Sequence, residues 1–156
     1  MPEALITSTT SFSIERSLDA PIEKVFAAFT EVEILKRWWG PEGFSTPRAE
    51  VDARPGGKYR IAMQPPEGET LYVFGTFVEV DKPRKLVYTW AWDEDEGPSH
   101  ESLVSIELTS RGEHTHLVLT QTRLENETSR DRHIEGWTSA LGRLPALFQR
   151  SSVAQP

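Results

Sequence analysis

The sequence predicts an α+β protein in which two short helices follow a first strand, six further strands form an antiparallel meander, and one long C-terminal helix crosses the sheet. Three observations carry this. Between Phe44 and Thr122, short alternating segments are separated by turn-forming groups such as Pro55-Gly56-Gly57, Pro65-Pro66-Glu67-Gly68, Asp81-Lys82-Pro83 and Ser110-Arg111-Gly112-Glu113. Between Ile134 and Phe148, apolar residues return at steps of three and four. Between Pro21 and Trp38, helical spacing appears twice. Short, evenly spaced strands joined by tight turns imply antiparallel pairing.

Residues 11–18 read as the first strand, with Phe12 and Ile14 alternating with polar neighbours. Pro21 suits a helix start, because its missing N–H has no intrahelical partner there. Ile22, Val25, Phe26 and Phe29 follow on one face, and Thr30 with Glu33 has capping-box spacing for a second short helix carrying Ile34, Leu35 and Trp38. Gly40-Pro41 stops it. The remaining strands are expected at 48–53, 58–64, 71–80, 85–92, 101–109 and 116–122. In 71–80 the inward face is open, because Leu71, Val73 and Phe77 compete with Tyr72, Phe74 and Val78.

Thr128 and Asp131 again have capping-box spacing, so the last helix is expected over 129–149, a length of about 31 Å. Pro145 should kink it or end its regular part near Leu144. Residues 11–150 are expected to form one domain, with 1–10 and 151–156 as flexible tails.

Five motifs sharpen the reading: Ala20-Pro21-Ile22-Glu23-Lys24-Val25-Phe26, Trp38-Trp39-Gly40-Pro41, Pro55-Gly56-Gly57-Lys58-Tyr59-Arg60, Pro83-Arg84-Lys85-Leu86-Val87-Tyr88-Thr89-Trp90 and His133-Ile134-Glu135-Gly136-Trp137. In this order they resemble the helix-grip proteins of the START-like (SRPBCC) superfamily, and more narrowly the branch related to the activator of the ninety-kilodalton heat-shock chaperone's ATPase. The resemblance covers about residues 11–148. It implies a curved seven-stranded antiparallel sheet wrapped around the C-terminal helix, with a cavity between them.

It also implies binding or carriage of a small hydrophobic molecule, such as a lipid, polyketide or aromatic compound. The alternatives are a cyclase or hydrolase using the same cavity, and regulation of the chaperone's ATPase through the protein surface. Phe29, Trp38, Trp39, Tyr59, Trp90, Gln121, His133, Trp137 and Leu141 are the expected ligand-binding residues. No catalytic residue is assigned and no cofactor is expected.

A physical argument stands beside the resemblance. One helix is too narrow to fill the hollow of a wide, twisted sheet, so the space must hold large side chains, water or a ligand. Three of the five tryptophans, Trp38, Trp39 and Trp137, belong to the helices, and aromatic walls with a few polar groups are the usual form of small-molecule sites. On a helix stripe such residues are more often plain core than ligand contacts.

His133 and Trp137, four apart, share a helix face. His133 either offers a hydrogen bond at the cavity mouth or pairs in solvent with Asp131 or Glu135. Gly136 is costly in mid-helix and is read as a close contact with the sheet or the short helices, with room for a ligand as a side effect. Alternation turns Gln121 inward, where its amide needs a partner, and gives Arg16 the parity of Phe12 and Ile14, with snorkelling to solvent as the simpler outcome.

Composition excludes several classes. The 156 residues contain no cysteine, which rules out disulfides, thiolate zinc sites and thiol catalysis. A net charge of −7 with no basic block argues against a nucleic-acid partner. The apolar stretches fall far short of the roughly 20 residues that span a bilayer, so no membrane insertion is expected. No basic segment followed by an apolar run opens the sequence, and a cytoplasmic protein, monomer or homodimer, is expected. His114 and His116 alternate without an evident third metal ligand, and Asp93-Glu94-Asp95-Glu96 lacks the spacing of a calcium loop and reads as a solvated hairpin tip.

Overall fold

The computed structural model describes residues 4–94 and 97–154. Its elements run β1 (Leu5–Ser8), β2 (Ser11–Leu18), α1 (Ile22–Thr30), α2 (Val32–Leu35), β3 (Ala49–Val51), β4 (Lys58–Met63), β5 (Leu71–Asp81), β6 (Lys85–Glu94), β7 (Gly97–Pro98), β8 (Ser102–Arg111), β9 (His114–Thr122) and α3 (Glu127–Ala154). The strands form one antiparallel sheet in the order β1-β2-β9-β8-β6-β5-β4-β3, with the two-residue β7 paired to β6 off that path. All seven expected strands are present. The eighth in the main order, β1, comes from a segment expected to be a tail: Leu5 and Ile6 pair with Ser13 and Phe12, so backbone hydrogen bonding orders it although its side chains are exposed.

Alternation sets the inner face. Phe12, Ile14 and Leu18 of β2, Val104, Ile106 and Leu108 of β8, and Leu117 and Leu119 of β9 are buried. In β5 the inward set is Val73 and Phe77, while Val78 sits at a register irregularity and is 57% exposed. Between Val73 and Phe77 stands Gly75, where a Cβ would lie 2.0 Å from the Thr89 carbonyl oxygen on β6. Only a missing side chain lets the two backbones approach there. The Thr89 hydroxyl accepts from the Thr76 N–H at 2.9 Å, and the Thr89 carbonyl accepts from the Tyr59 hydroxyl at 2.5 Å, which fixes the crossing.

The helix boundaries correct the sequence reading in four places, the first being α2 itself, which ends at Leu35 and leaves Trp38 and Trp39 in the segment after it. Thr30 belongs to α1, where its hydroxyl bonds back to the Phe26 carbonyl at 3.1 Å, and the N-cap of α2 is Glu31. The helix α3 starts two residues earlier than the Thr128 box suggests, because Asn126 Oδ1 accepts the Ser129 N–H at 2.9 Å, the geometry of an Asn cap. It also continues through Pro145 to Ala154, beyond the expected end. Among the described side chains of the helix Leu144 is the last fully buried one, and Pro145 is exposed, so the proline ring faces away from the sheet.

α3 buries Trp137, Ala140, Leu141 and Leu144 against the sheet and is stapled to the segment after α2. Arg143 Nη1 donates toward the carbonyls of Trp39, Gly40, Pro41 and Phe44 at 3.0 to 3.4 Å, and Ser139 Oγ accepts the Glu42 N–H at 2.7 Å. A guanidinium surrounded by main-chain oxygens gains charge-assisted hydrogen bonds without a carboxylate.

Candidate ligand cavity

The two halves of the hollow are filled differently. Toward α1 and α2 it is solid. Tyr59, Phe77 and Tyr88 pack ring to ring with centroids 5.3 to 5.7 Å apart, and the void left beside them measures about 10 Å³. Burial pushes both phenols well above their ordinary range, with Tyr88 and Glu101 adding to the effect on Tyr59, so both stay uncharged even in alkaline solution and pack as rings. Toward the start of α3 the hollow is open. There a cavity of about 880 Å³ opens to solvent between α3, the ends of β5 and β6, and the segment after α2.

Trp39 divides the two, touching the small void on one side and the large cavity on the other. With Trp90, Trp92 and Trp137 it makes an indole wall whose successive centroids are 6.0, 5.7 and 5.1 Å apart for the pairs Trp39–Trp90, Trp90–Trp92 and Trp90–Trp137. Phe44, Met63, Tyr72 and Leu124 extend the apolar lining. Asp93, Glu94, Glu125 and Arg132 stand on the lining as well, and Asp93 is paired with Arg60 at 2.9 Å.

Hydrogen bonds lock the wall. His133 Nδ1 donates to the Ser129 carbonyl at 2.7 Å, one turn back on α3. Its Nε2 accepts from the indole N–H groups of Trp90 and Trp92 at 3.2 and 3.3 Å. Such a histidine must be neutral, because a proton on Nε2 would face two donors. Burial lowers its affinity for a proton, and the bond to Ser129 only partly opposes this. Behind the wall, Gln121 is fully buried: its Oε1 accepts from Trp137 Nε1 at 2.9 Å and its Nε2 donates to Ser102 Oγ at 2.9 Å. Three indole donors are thus consumed inside the protein. The fourth, Trp39 Nε1, is buried without a partner among the described residues.

Of the residues expected from sequence to line the cavity, Trp39, Trp90, His133 and Trp137 do so. The other five do not. Trp38 is wholly buried, its Nε1 donating to the Ala28 carbonyl at 2.9 Å, and its ring meets Phe29 edge-on. Phe29 and Tyr59 border only the small void, and Leu141 is solid core. Gln121 sits one layer back, positioning Trp137. His133 stands on the cavity lining, but its two ring nitrogens are engaged by Trp90, Trp92 and Ser129 and not by Asp131 or Glu135.

Gly136 is also corrected: among the described residues, nothing beyond its chain neighbours and the helix's own backbone lies within 4 Å of where its Cβ would be, so it leaves open space in the cavity wall instead of making a tight contact. Arg16 is half-buried and bonds the neighbouring Glu15 carbonyl at 2.7 Å, away from the cavity lining. His116 and His114 lie 3.2 Å from Glu15 and Asp19 respectively, and no cluster with metal-ligand geometry occurs among the described residues. Asp93 and Glu94 end β6, while Asp95 and Glu96 lie outside the described residues. Sequence reasoning missed Trp92, although its two-residue spacing from Trp90 was the available signal, and it missed Arg143, which had none.

A curved antiparallel sheet gripping a C-terminal helix around an open aromatic cavity defines a START-like helix-grip protein. Residues 19–149 match the family described as activator of Hsp90 ATPase homolog 1-like protein, and the chain belongs to that family. Its fold is similar to that of an AHSA1 protein from Silicibacter pomeroyi, at 30% identity and TM-score 0.82 over 90% of this chain and 99% of that one. A protein of Chromobacterium violaceum gives 27% identity and TM-score 0.81 over 90% and 97%. An Hsp90 activator from Plasmodium falciparum gives 30% identity and TM-score 0.69 over 88% and 95%. No curated protein matches the sequence significantly. Among the described residues no helix is long and apolar enough to cross a membrane.

Proposed function

We propose that this protein binds a small, ring-bearing hydrophobic molecule in the cavity between α3 and the sheet. The observation that carries the reading is the combination of about 880 Å³ of open space with a wall of indoles already fixed in place. That volume lies within the range of about 300–1,000 Å³ typical of ligand sites. Rings that are held before binding lose little side-chain freedom when a ligand arrives. Neither nitrogen of His133 is free while it holds the two tryptophans, so a binding role fits the arrangement better than proton transfer.

Gly136 supplies the test. Gly136→Leu puts a side chain into the open space and at the same time removes a helix penalty of about 1 kcal/mol. NMR titration of the wild type with a panel of lipids, flavonoids and polyketides should shift resonances of the cavity wall. The variant should fold with equal or greater stability and lose that response. Hits that Gly136→Leu leaves intact, or failure of this panel together with the charged and neutral aromatic probes described below, would refute the proposal.

Membership of the family supports a second reading, an action on the Hsp90 ATPase through the protein surface. Stimulation of the chaperone's ATPase by this chain would support it. Indifference of that stimulation to Gly136→Leu separates it from a cavity-based role.

A further inference from the structure

We infer that the cavity selects cationic aromatic molecules over anionic ones of the same size; this rests on the binding role proposed above. Four features point to the same sign of charge. The first is the wall itself: Trp39, Trp90, Trp92 and Trp137 present π-systems, whose quadrupole attracts a cation and repels an anion.

The second is a shortage of free donors on that wall, which leaves side-chain donors such as Arg132, Asn126, Thr128 and Ser129 elsewhere on the lining. The N–H groups of Trp90 and Trp92 are given to His133, that of Trp137 to Gln121, and that of Trp39 is sealed from the cavity by burial. The ring of His133 gives its only N–H to Ser129 and stays neutral. The indole wall therefore has nothing with which to hold a carboxylate or phosphate.

The third is the polar part of the lining. Asp93, Glu94 and Glu125 border the cavity, against Arg132 as the one Lys or Arg among the described lining residues. Asp93 is neutralised by Arg60, and no ion pair involves Glu94 or Glu125 among the described residues. Arg60 itself shows the preference at work. Its guanidinium stands 4.2 Å from the centroid of Tyr72, a lining ring, while it pairs with Asp93. The fourth feature is long-range: a net charge of −7 draws cations toward the protein and slows the approach of anions.

The orientation follows. The flat part of the ligand lies against the indoles, and its cationic centre stands toward Glu94 and Glu125, near the open end. A fatty acid is a poor candidate by the same reasoning, because its carboxylate would have to share the mouth with those two carboxylates.

The test uses the full chain and three probes of one skeleton: naphthylmethyl trimethylammonium, naphthylmethanol and naphthylmethanesulfonate. Isothermal titration calorimetry at low salt should rank them cation, neutral, anion, with the cation about tenfold tighter than the anion. Added salt should narrow the gap. The double variant Glu94→Gln, Glu125→Gln alters two exposed side chains outside the packed wall. It should weaken the cation about threefold or more and leave the alcohol unchanged.

An anion that binds as tightly as the cation, or a double variant that leaves the ranking intact, overturns this inference while the cavity proposal stands. If none of the three probes binds, and the lipid, flavonoid and polyketide panel also fails, the cavity proposal falls and takes this inference with it. If the panel binds and none of the three probes does, this inference alone is overturned.

Discussion

Acidification should loosen this fold through His133, and the size of the effect can be worked from its partners. The imidazole accepts two indole N–H groups on Nε2 and is held by Ser129 on Nδ1. The folded state lowers its proton affinity below the ordinary value of 6.5, whereas the unfolded chain keeps that value. The unfolded state therefore binds more protons, and stability rises with pH in this window. The contribution is complete above 6.5, declines as pH falls below it, and levels off once the folded histidine is itself protonated.

The steepest slope one such group can give is about 1.4 kcal/mol per pH unit. His133→Gln keeps one acceptor but cannot titrate. At neutral pH it loses one indole bond and the anchor to Ser129, a cost of about 1–2 kcal/mol. Urea denaturation of both proteins, followed by circular dichroism at about pH 7.5 and about pH 5.5, isolates the effect, because every other titrating group is common to the two. The stability gap between wild type and variant should narrow in acid by up to about 1 kcal/mol. A gap that stays constant or widens, or an NMR titration midpoint for His133 at or above 6.5, would refute the reasoning.

Two further substitutions probe the frame. Gln121→Leu conserves volume but strands Trp137 Nε1 and removes the donor to Ser102, and should cost about 2–4 kcal/mol in urea unfolding. A loss under about 1 kcal/mol would mean that water replaces the amide. Gly75→Ala drives a methyl group against the Thr89 carbonyl and should cost about 3 kcal/mol, with Gly142→Ala, which meets nothing within 4 Å, as a neutral or stabilising control. Equal stability of the two alanine variants would count against the close approach of β5 and β6.

What the sequence revealed follows from which interactions are local. Two-residue alternation in 102–111 and 114–122 is imposed by the pleat itself, so the strands and the inward turn of Gln121 could be read directly. Helix ends were less legible. Thr30 and Thr128 carry the spacing of caps, yet Asn126 and the backbone around Glu31 supply the ends that form, because several polar residues compete for each terminus.

The site was half legible for a different reason. Aromatic residues look alike in sequence whether they fill a hollow or line one, and only the sheet's curvature decides. Tyr59 lost its place at the cavity because Phe77 and Tyr88 close on it, and Trp92 gained one because β6 runs on past the packed region. Likewise, nothing near Arg143 in sequence announces five carbonyl oxygens from a segment about a hundred residues away.

The five tryptophans form a single connected set: Trp38 touches Trp39 at 5.4 Å, Trp39 touches Trp137 at 5.5 Å, and Trp90 joins Trp39, Trp92 and Trp137. At such separations excitation can pass between indoles before it is emitted, so the set is expected to respond as one antenna and not as five independent lamps. Any molecule that quenches the ring nearest the mouth drains light from the entire set, including Trp38 deep in the core. Ultraviolet emission of the unlabelled protein should therefore change if a ligand enters the cavity, and it needs no added label to be read.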